Sequence, residues 1–83
     1  MSQPTLAEAP PASESLTEYD RQHLKTYARL LDASADNADW QEVAGIVLRI
    51  DADREPDRAR RMYETHLERA RWMARTGYRM LLG

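Results

Sequence analysis

The sequence predicts an all-α protein: a tri-helical, helix-turn-helix-like bundle with a disordered N-terminal tail and a short C-terminal apolar turn. Three observations predict it. Strong helix formers dominate, with Leu, Ala, Arg and Glu plentiful, Phe absent and β-branched residues concentrated in one short run, residues 43–50. Apolar residues recur with a helical period in three stretches. A start signal stands ahead of each stretch: Thr17, Asp39 and Pro56. With 83 residues the chain is one domain. A domain of that size buries only about 60 % of the surface its unfolded chain exposes, which leaves no room for a deep catalytic cleft beside a core.

Residues 1–16 carry Pro4, Pro10 and Pro11 among Ser, Ala and Glu, a composition too poor in apolar surface to offset the entropy of ordering, so they are read as a disordered tail ahead of a domain over 17–83. Thr17 caps the first helix, whose opening turn holds Glu18 and Asp20 at the positive end of the dipole. Leu24, Tyr27, Ala28 and Leu31 form its apolar stripe, and the helix fades over residues 33–38. Asp39 opens the second helix, with Glu42 at capping-box spacing. Trp40, Val43, Ile46, Val47 and Ile50 share its inner face. The β-branched run also suits a strand; the cap and the period favour the helix. Residues 51–55 form a polar turn, and Pro56 stands at the first helical position of the third helix, which runs to about Thr76. Its inner line is Ala59, Tyr63, Leu67, Ala70 and Ala74, flanked by Met62, His66 and Met73. Gly77 is the expected C-terminal cap, and residues 78–82 an apolar tail folding back.

Several function classes fall away. The chain has no cysteine, hence no disulfide and no thiolate metal site. His23 and His66 suggest no third ligand by their spacing, and neither a nucleophile–base pattern nor a nucleotide motif stands out, so the expectation is a protein that is not an enzyme and takes no cofactor, metal or small-molecule substrate. Residues 1–11 lack a basic start and a hydrophobic stretch, and no apolar run approaches the roughly 20 residues of a membrane helix, so a cytoplasmic protein is expected.

The net charge of −2 hides an asymmetry: residues 1–53 hold 4 basic and 10 acidic side chains, residues 54–83 hold 8 arginines and 4 acids. Arginine without lysine suits geometry-specific pairing with carboxylate or phosphate. Trp72 lies nine residues from Tyr63, so it points away from the core and shares the outer face of the third helix with Arg58, Arg61 and Thr65, flanked by Arg69 and Arg75. Trp among arginines is the composition of an interface anchor, and these six residues are the candidate partner-binding set. The alternative is that Tyr78, Leu81 and Leu82 fold over Trp72. Arg58, Arg60 and Arg61 open the helix that would read DNA in a helix-turn-helix protein, and they are the candidate DNA contacts. Glu55, Asp57 and Glu64 crowd the same end, and a pI near 5.6 is far from that of a DNA binder, so DNA binding by the chain alone is expected to be weak or absent.

The segments Tyr27-Ala28-Arg29-Leu30-Leu31-Asp32, Asp39-Trp40-Gln41-Glu42-Val43-Ala44 and Leu48-Arg49-Ile50-Asp51 resemble the RovC-type DNA-binding domain. The likeness continues through Asp53-Arg54-Glu55-Pro56 and Ala59-Arg60-Arg61. It ends with His66-Leu67-Glu68-Arg69-Ala70-Arg71-Trp72-Met73 and Gly77-Tyr78-Arg79-Met80-Leu81-Leu82. Members of that family include transcriptional activators of secretion systems and of conjugative element transfer; a stand-alone member of this size resembles the QseM antiactivators of integrative and conjugative elements. The resemblance implies protein partners: a LuxR-type quorum-sensing activator and an activator that contains the same domain. A small DNA-binding regulator is the competing reading. A third, an adaptor whose N-terminus folds on its partner, predicts that removing residues 1–16 abolishes function, where antiactivation predicts little change.

Overall fold

Thr17 starts the helical part of the chain through a reciprocal capping box. Its hydroxyl accepts the Asp20 N–H at 3.2 Å, and the Asp20 carboxylate accepts the Thr17 N–H at 2.9 Å. The computed structural model describes residues 6–77. Within them α1 spans Glu18–Gln22, α2 Leu24–Ala35, α3 Trp40–Ile46 and α4 Pro56–Trp72, and a π-helical turn, Met73–Gly77, extends α4. The architecture is all-helical, as predicted, with no strand among the described residues.

The predicted first helix is broken into α1 and α2 at His23, which leaves helical geometry with φ −116° and ψ 20°. Its ring Nδ1–H donates to the Tyr19 carbonyl at 2.8 Å, competing with the backbone for that acceptor. α2 ends in a Schellman motif: the Ala38 N–H reaches the Ala33 carbonyl and the Asn37 N–H the Ser34 carbonyl, with Asn37 in the left-handed region at φ 57°. Asp39 caps α3 through the Gln41 N–H at 3.3 Å.

α3 is shorter than the predicted second helix. It stops at Ile46 because Arg49 turns left-handed, at φ 60°, and the Ala44 carbonyl takes both the Leu48 and the Ile50 N–H. Residues 47–50 thus belong to the connection. That connection, residues 47–55, is longer than the 3–4-residue turn of a helix-turn-helix motif. Its second half is an Asx turn in which the Asp51 carboxylate accepts the Asp53 and Arg54 N–H groups. Pro56 then takes the first position of α4, as predicted.

α4 is the central helix and packs against both α2 and α3. Its Ala59, Met62 and Leu67 close over Val43, Ala44, Leu48, Ile50 and Leu30. Its second half sets Ala70 and Met73 against Tyr27 of α2. In each helix the buried line is turned from the predicted one. In α2, Leu24 is 37 % exposed and Ala28 is exposed, while Leu30 is fully buried. In α3, Ile46 is 70 % exposed. In α4, Ala74 is exposed and Tyr63 half-buried. Polar residues fill the difference: Asp20, His23, His66 and Arg69 are all buried.

The N-terminal segment also departs from expectation. Residues 6–16 are not a free tail; they run without helix or strand along the outside of α4 and hydrogen-bond to it. Residues 78–82, expected as an apolar tail, lie outside the described residues.

Arg49 holds a backbone conformation that costs an L side chain roughly 1–2 kcal/mol, less the extra entropy a glycine loses on folding. Arg49→Gly is expected to raise the free energy of unfolding in urea by about 0.5–1 kcal/mol. A loss of stability would mean that the arginine side chain contributes more than the strain costs.

Candidate functional site

The α1 capping box places Asp20, fully buried, against the second half of α4. Its carboxylate accepts Arg69 Nε at 2.9 Å and Arg69 Nη2 at 2.6 Å, a two-pronged ion pair, together with the Tyr27 hydroxyl at 2.8 Å and the Thr17 hydroxyl at 3.0 Å. Burial acts to raise the Asp20 pKa; Arg69 and the Thr17 and Tyr27 donors outweigh it and hold the carboxyl far below its usual range. Burial and the bond to the Asp20 carboxylate push the Tyr27 hydroxyl up, so it stays protonated as the donor.

Two further donors of Arg69 reach the N-terminal segment. Nη1 reaches the Ser13 carbonyl at 2.6 Å and Nη2 the Ser15 carbonyl at 3.1 Å. The guanidinium lies 3.9 Å from the centre of the Trp72 ring. The sequence places Arg69 in the partner-binding set; the structure makes it a buried clamp between α1, α4 and the segment before Thr17.

A second polar chain runs beside the first. His66 Nδ1–H donates to the Met62 carbonyl at 2.8 Å, which leaves Nε2 as an acceptor for the Tyr19 hydroxyl at 2.6 Å. That hydroxyl in turn accepts the Ala7 N–H at 3.0 Å. Tyr19 stacks on His23 at 4.1 Å, and His23 Nε2 is buried without a partner among the described residues. So α1, α4 and residue 7 are joined through one phenol.

Of the other predicted partner contacts, Arg58, Thr65 and Trp72 follow one line along α4, and that line is covered. Residues 9–14 lie beside Thr65, Arg69 and Trp72, enclosing a groove of about 490 Å³. Trp72 is half-buried there. Arg58 is held by Glu8 and by Glu55, each at 3.1 Å. The Thr65 hydroxyl donates to the Arg61 carbonyl at 2.7 Å and lies 3.4 Å from the Glu8 carbonyl. Arg61 and Arg75 are exposed. Arg60, a candidate DNA contact with Arg58 and Arg61, pairs with Glu64 at 3.0 Å.

The uncovered side of α4 holds residues that sequence reasoning placed in the core or passed over. Trp40 is half-buried and lies 6.3 Å from the Tyr63 ring, with the Arg60 guanidinium 5.4 Å from its own. Arg71 hydrogen-bonds to Ser34 at the end of α2. Capping and periodicity assign Trp40 to the interior; its place on the first turn of α3, next to the arginines of α4, was the signal for the edge.

Comparison with known families decides the kinship. A family model described as "T6SS, Transcription factor, DNA binding domain" matches residues 3–83. The chain belongs to this RovC-type DNA-binding domain family. No curated protein matches the chain. Near the start of α4, Arg58 and Arg60 are both neutralised on the surface by carboxylate partners. Arg54, Arg61, Arg71 and Arg75 have no carboxylate partner among the described residues. No helix of the described residues is long and apolar enough to cross a membrane.

Burial pushes the His66 pKa below its ordinary value of 6.5; the bond to Met62 opposes this and nearby His23 adds to it. The neutral ring is the form the fold accepts. Its contribution to stability is therefore whole above about pH 6.5 and is lost as pH falls through the depressed folded value, because the unfolded chain takes up the proton first. Asp20 contributes nothing to that window, since its carboxyl ionises far lower. Unfolding followed between pH 7.5 and 5.5 is expected to show falling stability in the native chain and a flatter profile in His66→Gln. Parallel profiles would remove His66 from the account.

Proposed function

We propose that this member of the family is an antiactivator. It binds transcriptional activators, a LuxR-type quorum-sensing activator and an activator containing the same domain, and so represses transfer of a conjugative element. On this reading the chain acts in the cytoplasm by binding alone, without catalysis or cofactor, and its own affinity for DNA is low.

The state of the recognition-helix arginines carries the reading. DNA binding by such a helix draws on cations free to replace condensed counterions at the phosphates. Here a phosphate would have to displace Glu8 and Glu55 from Arg58, and Glu64 from Arg60. The net charge of −2 adds a general repulsion. Trp72, half-buried on the line of Arg58 and Thr65, has the amphipathic character of a protein–protein anchor. The competing reading, a DNA-binding regulator, is favoured by the family match and by Arg54, Arg61, Arg71 and Arg75, which have no carboxylate partner among the described residues.

The test combines capture of binding proteins from the native lysate on immobilised chain with a mobility shift of duplex DNA at about 150 mM salt, the physiological ionic strength. Antiactivation predicts recovery of a transcriptional activator, no DNA shift, and at least a tenfold loss of capture in Trp72→Ala, the scale of an interface hot spot. A sequence-selective DNA shift that fades steeply with salt, with no activator recovered, overturns the proposal and makes Arg61 and its neighbours the reading head.

A further inference from the structure

We propose that the outer face of α4 is a docking groove for an extended, carboxylate-bearing peptide, and that residues 6–16 of this chain are its exchangeable occupant in cis. The proposal rests on the partner-binding reading of that face and names what the face recognises.

The groove has the parts of a peptide receptor. Arg58 offers a guanidinium to a carboxylate, and Glu8 takes it at 3.1 Å. Arg69 offers two N–H groups to alternate backbone carbonyls, and Ser13 and Ser15 take them. Thr65 lies between these two points along α4 and the Trp72 ring beside Arg69, and the half-buried Pro10 and Pro11 line the same groove. Recognition by main-chain carbonyls, one carboxylate and an aromatic surface for prolines does not depend on the peptide being part of the same chain.

The occupant is fastened in a manner that allows exchange. Its apolar anchors are at the ends, where Leu6 packs on the lower core and Leu16 on the cluster around Tyr27. Between them Ala7, Glu8, Ala9, Ala12 and Glu14 are exposed, and the Glu8–Arg58 pair is a solvated one of the kind that contributes little. A segment with few buried contacts belongs to the part of a protein that opens first. Arg69 does not need the segment to stay charged and in place, because Asp20 holds it from the other side. When the segment lifts, the face of α4 that carries Arg58, Thr65, Arg69 and Trp72 is left open to another peptide.

An occupied groove binds a competitor only in the fraction of molecules that are open, so the apparent affinity falls by that fraction. For a segment closed nine-tenths of the time or more, loosening it should tighten binding by about tenfold or more. This reverses the expectation from sequence that the N-terminal residues are neutral for antiactivation.

The experiment uses the full chain, isotopically labelled for NMR, and a synthetic peptide with the sequence of residues 6–16 as the probe. The native chain is compared with a Leu6→Asp, Glu8→Arg double variant that loosens the segment. The expected result is at least tenfold tighter uptake of the peptide by the variant, with shifts at Thr65 and the Trp72 indole, and loss of uptake when the peptide itself carries arginine in place of its glutamate at position 8. Equal affinity in the two chains, no uptake by either, or shifts confined to other faces would overturn it. So would unfolding of the variant, since the segment would then be part of the core fold and not exchangeable. A positive peptide result with no activator captured by either chain would reject antiactivation and leave the groove standing; activator capture unaffected by loosening would do the reverse.

Discussion

The ion pair between Asp20 and Arg69 is the constraint on which the rest of the structure depends. Asp20 has no exposure and Arg69 only 8 %, so neither charge has water to fall back on. Each therefore depends on hydrogen-bond partners within the fold, and four of the five Arg69 N–H donors have one among the described residues. The Asp20 oxygens also receive the Thr17 N–H and hydroxyl and the Tyr27 hydroxyl, which fixes the start of α1 and its angle to α2. Two further Arg69 donors are taken by the carbonyls of Ser13 and Ser15, and its flat face by Trp72. One buried pair thus sets the helix cap, the docking of α1 and α2 on α4, and the path of the chain before Thr17. A pair of this kind is seldom a net gain over apolar packing; what it supplies is a single arrangement, because losing either partner strands a charge.

A second consequence concerns α4. In a helix-turn-helix reader the recognition helix keeps one face free for the groove of DNA. Here α4 packs on α2 and α3, carries residues 6–16 along a second side, and presents on the third a mixed surface in which Arg60 is matched by Glu64. The chain belongs to a DNA-binding domain family and carries a net charge of −2, with Arg58 and Arg60 paired to carboxylates on its surface. The site and the fold share residues: Arg69 is at once the buried partner of Asp20 and part of the lining of the groove.

The helical class, the start of α1 at Thr17, the cap at Asp39 and the place of Pro56 were legible from single residues whose chemistry acts locally. The buried faces were only partly legible. A hydrophobic period counts Asp20, His23 and Arg69 as surface, and each is buried; it sets His66 at the edge of the α4 core, where the structure buries it, so the inner lines drawn through apolar residues are right in part and miss these charged and polar members. α3 ended early at a left-handed arginine, a conformation no propensity assigns to that residue. The N-terminal segment reads as disordered because composition scores side chains, whereas much of its ordering comes through the main-chain carbonyls of Ser13 and Ser15 and the N–H of Ala7. Of the six predicted partner contacts, helical geometry correctly put Arg58, Thr65 and Trp72 on one line, but it could not show that the chain itself lies over them.

The most direct measurement is a double-mutant cycle at the central pair: urea unfolding of Asp20→Ala, Arg69→Met and the two combined. The account predicts that each single change costs about 3–5 kcal/mol, since it leaves a buried charge alone, and that the double change costs much less than their sum. Small and additive losses, each within about 1 kcal/mol, would contradict it, and would place the pair among ordinary surface contacts.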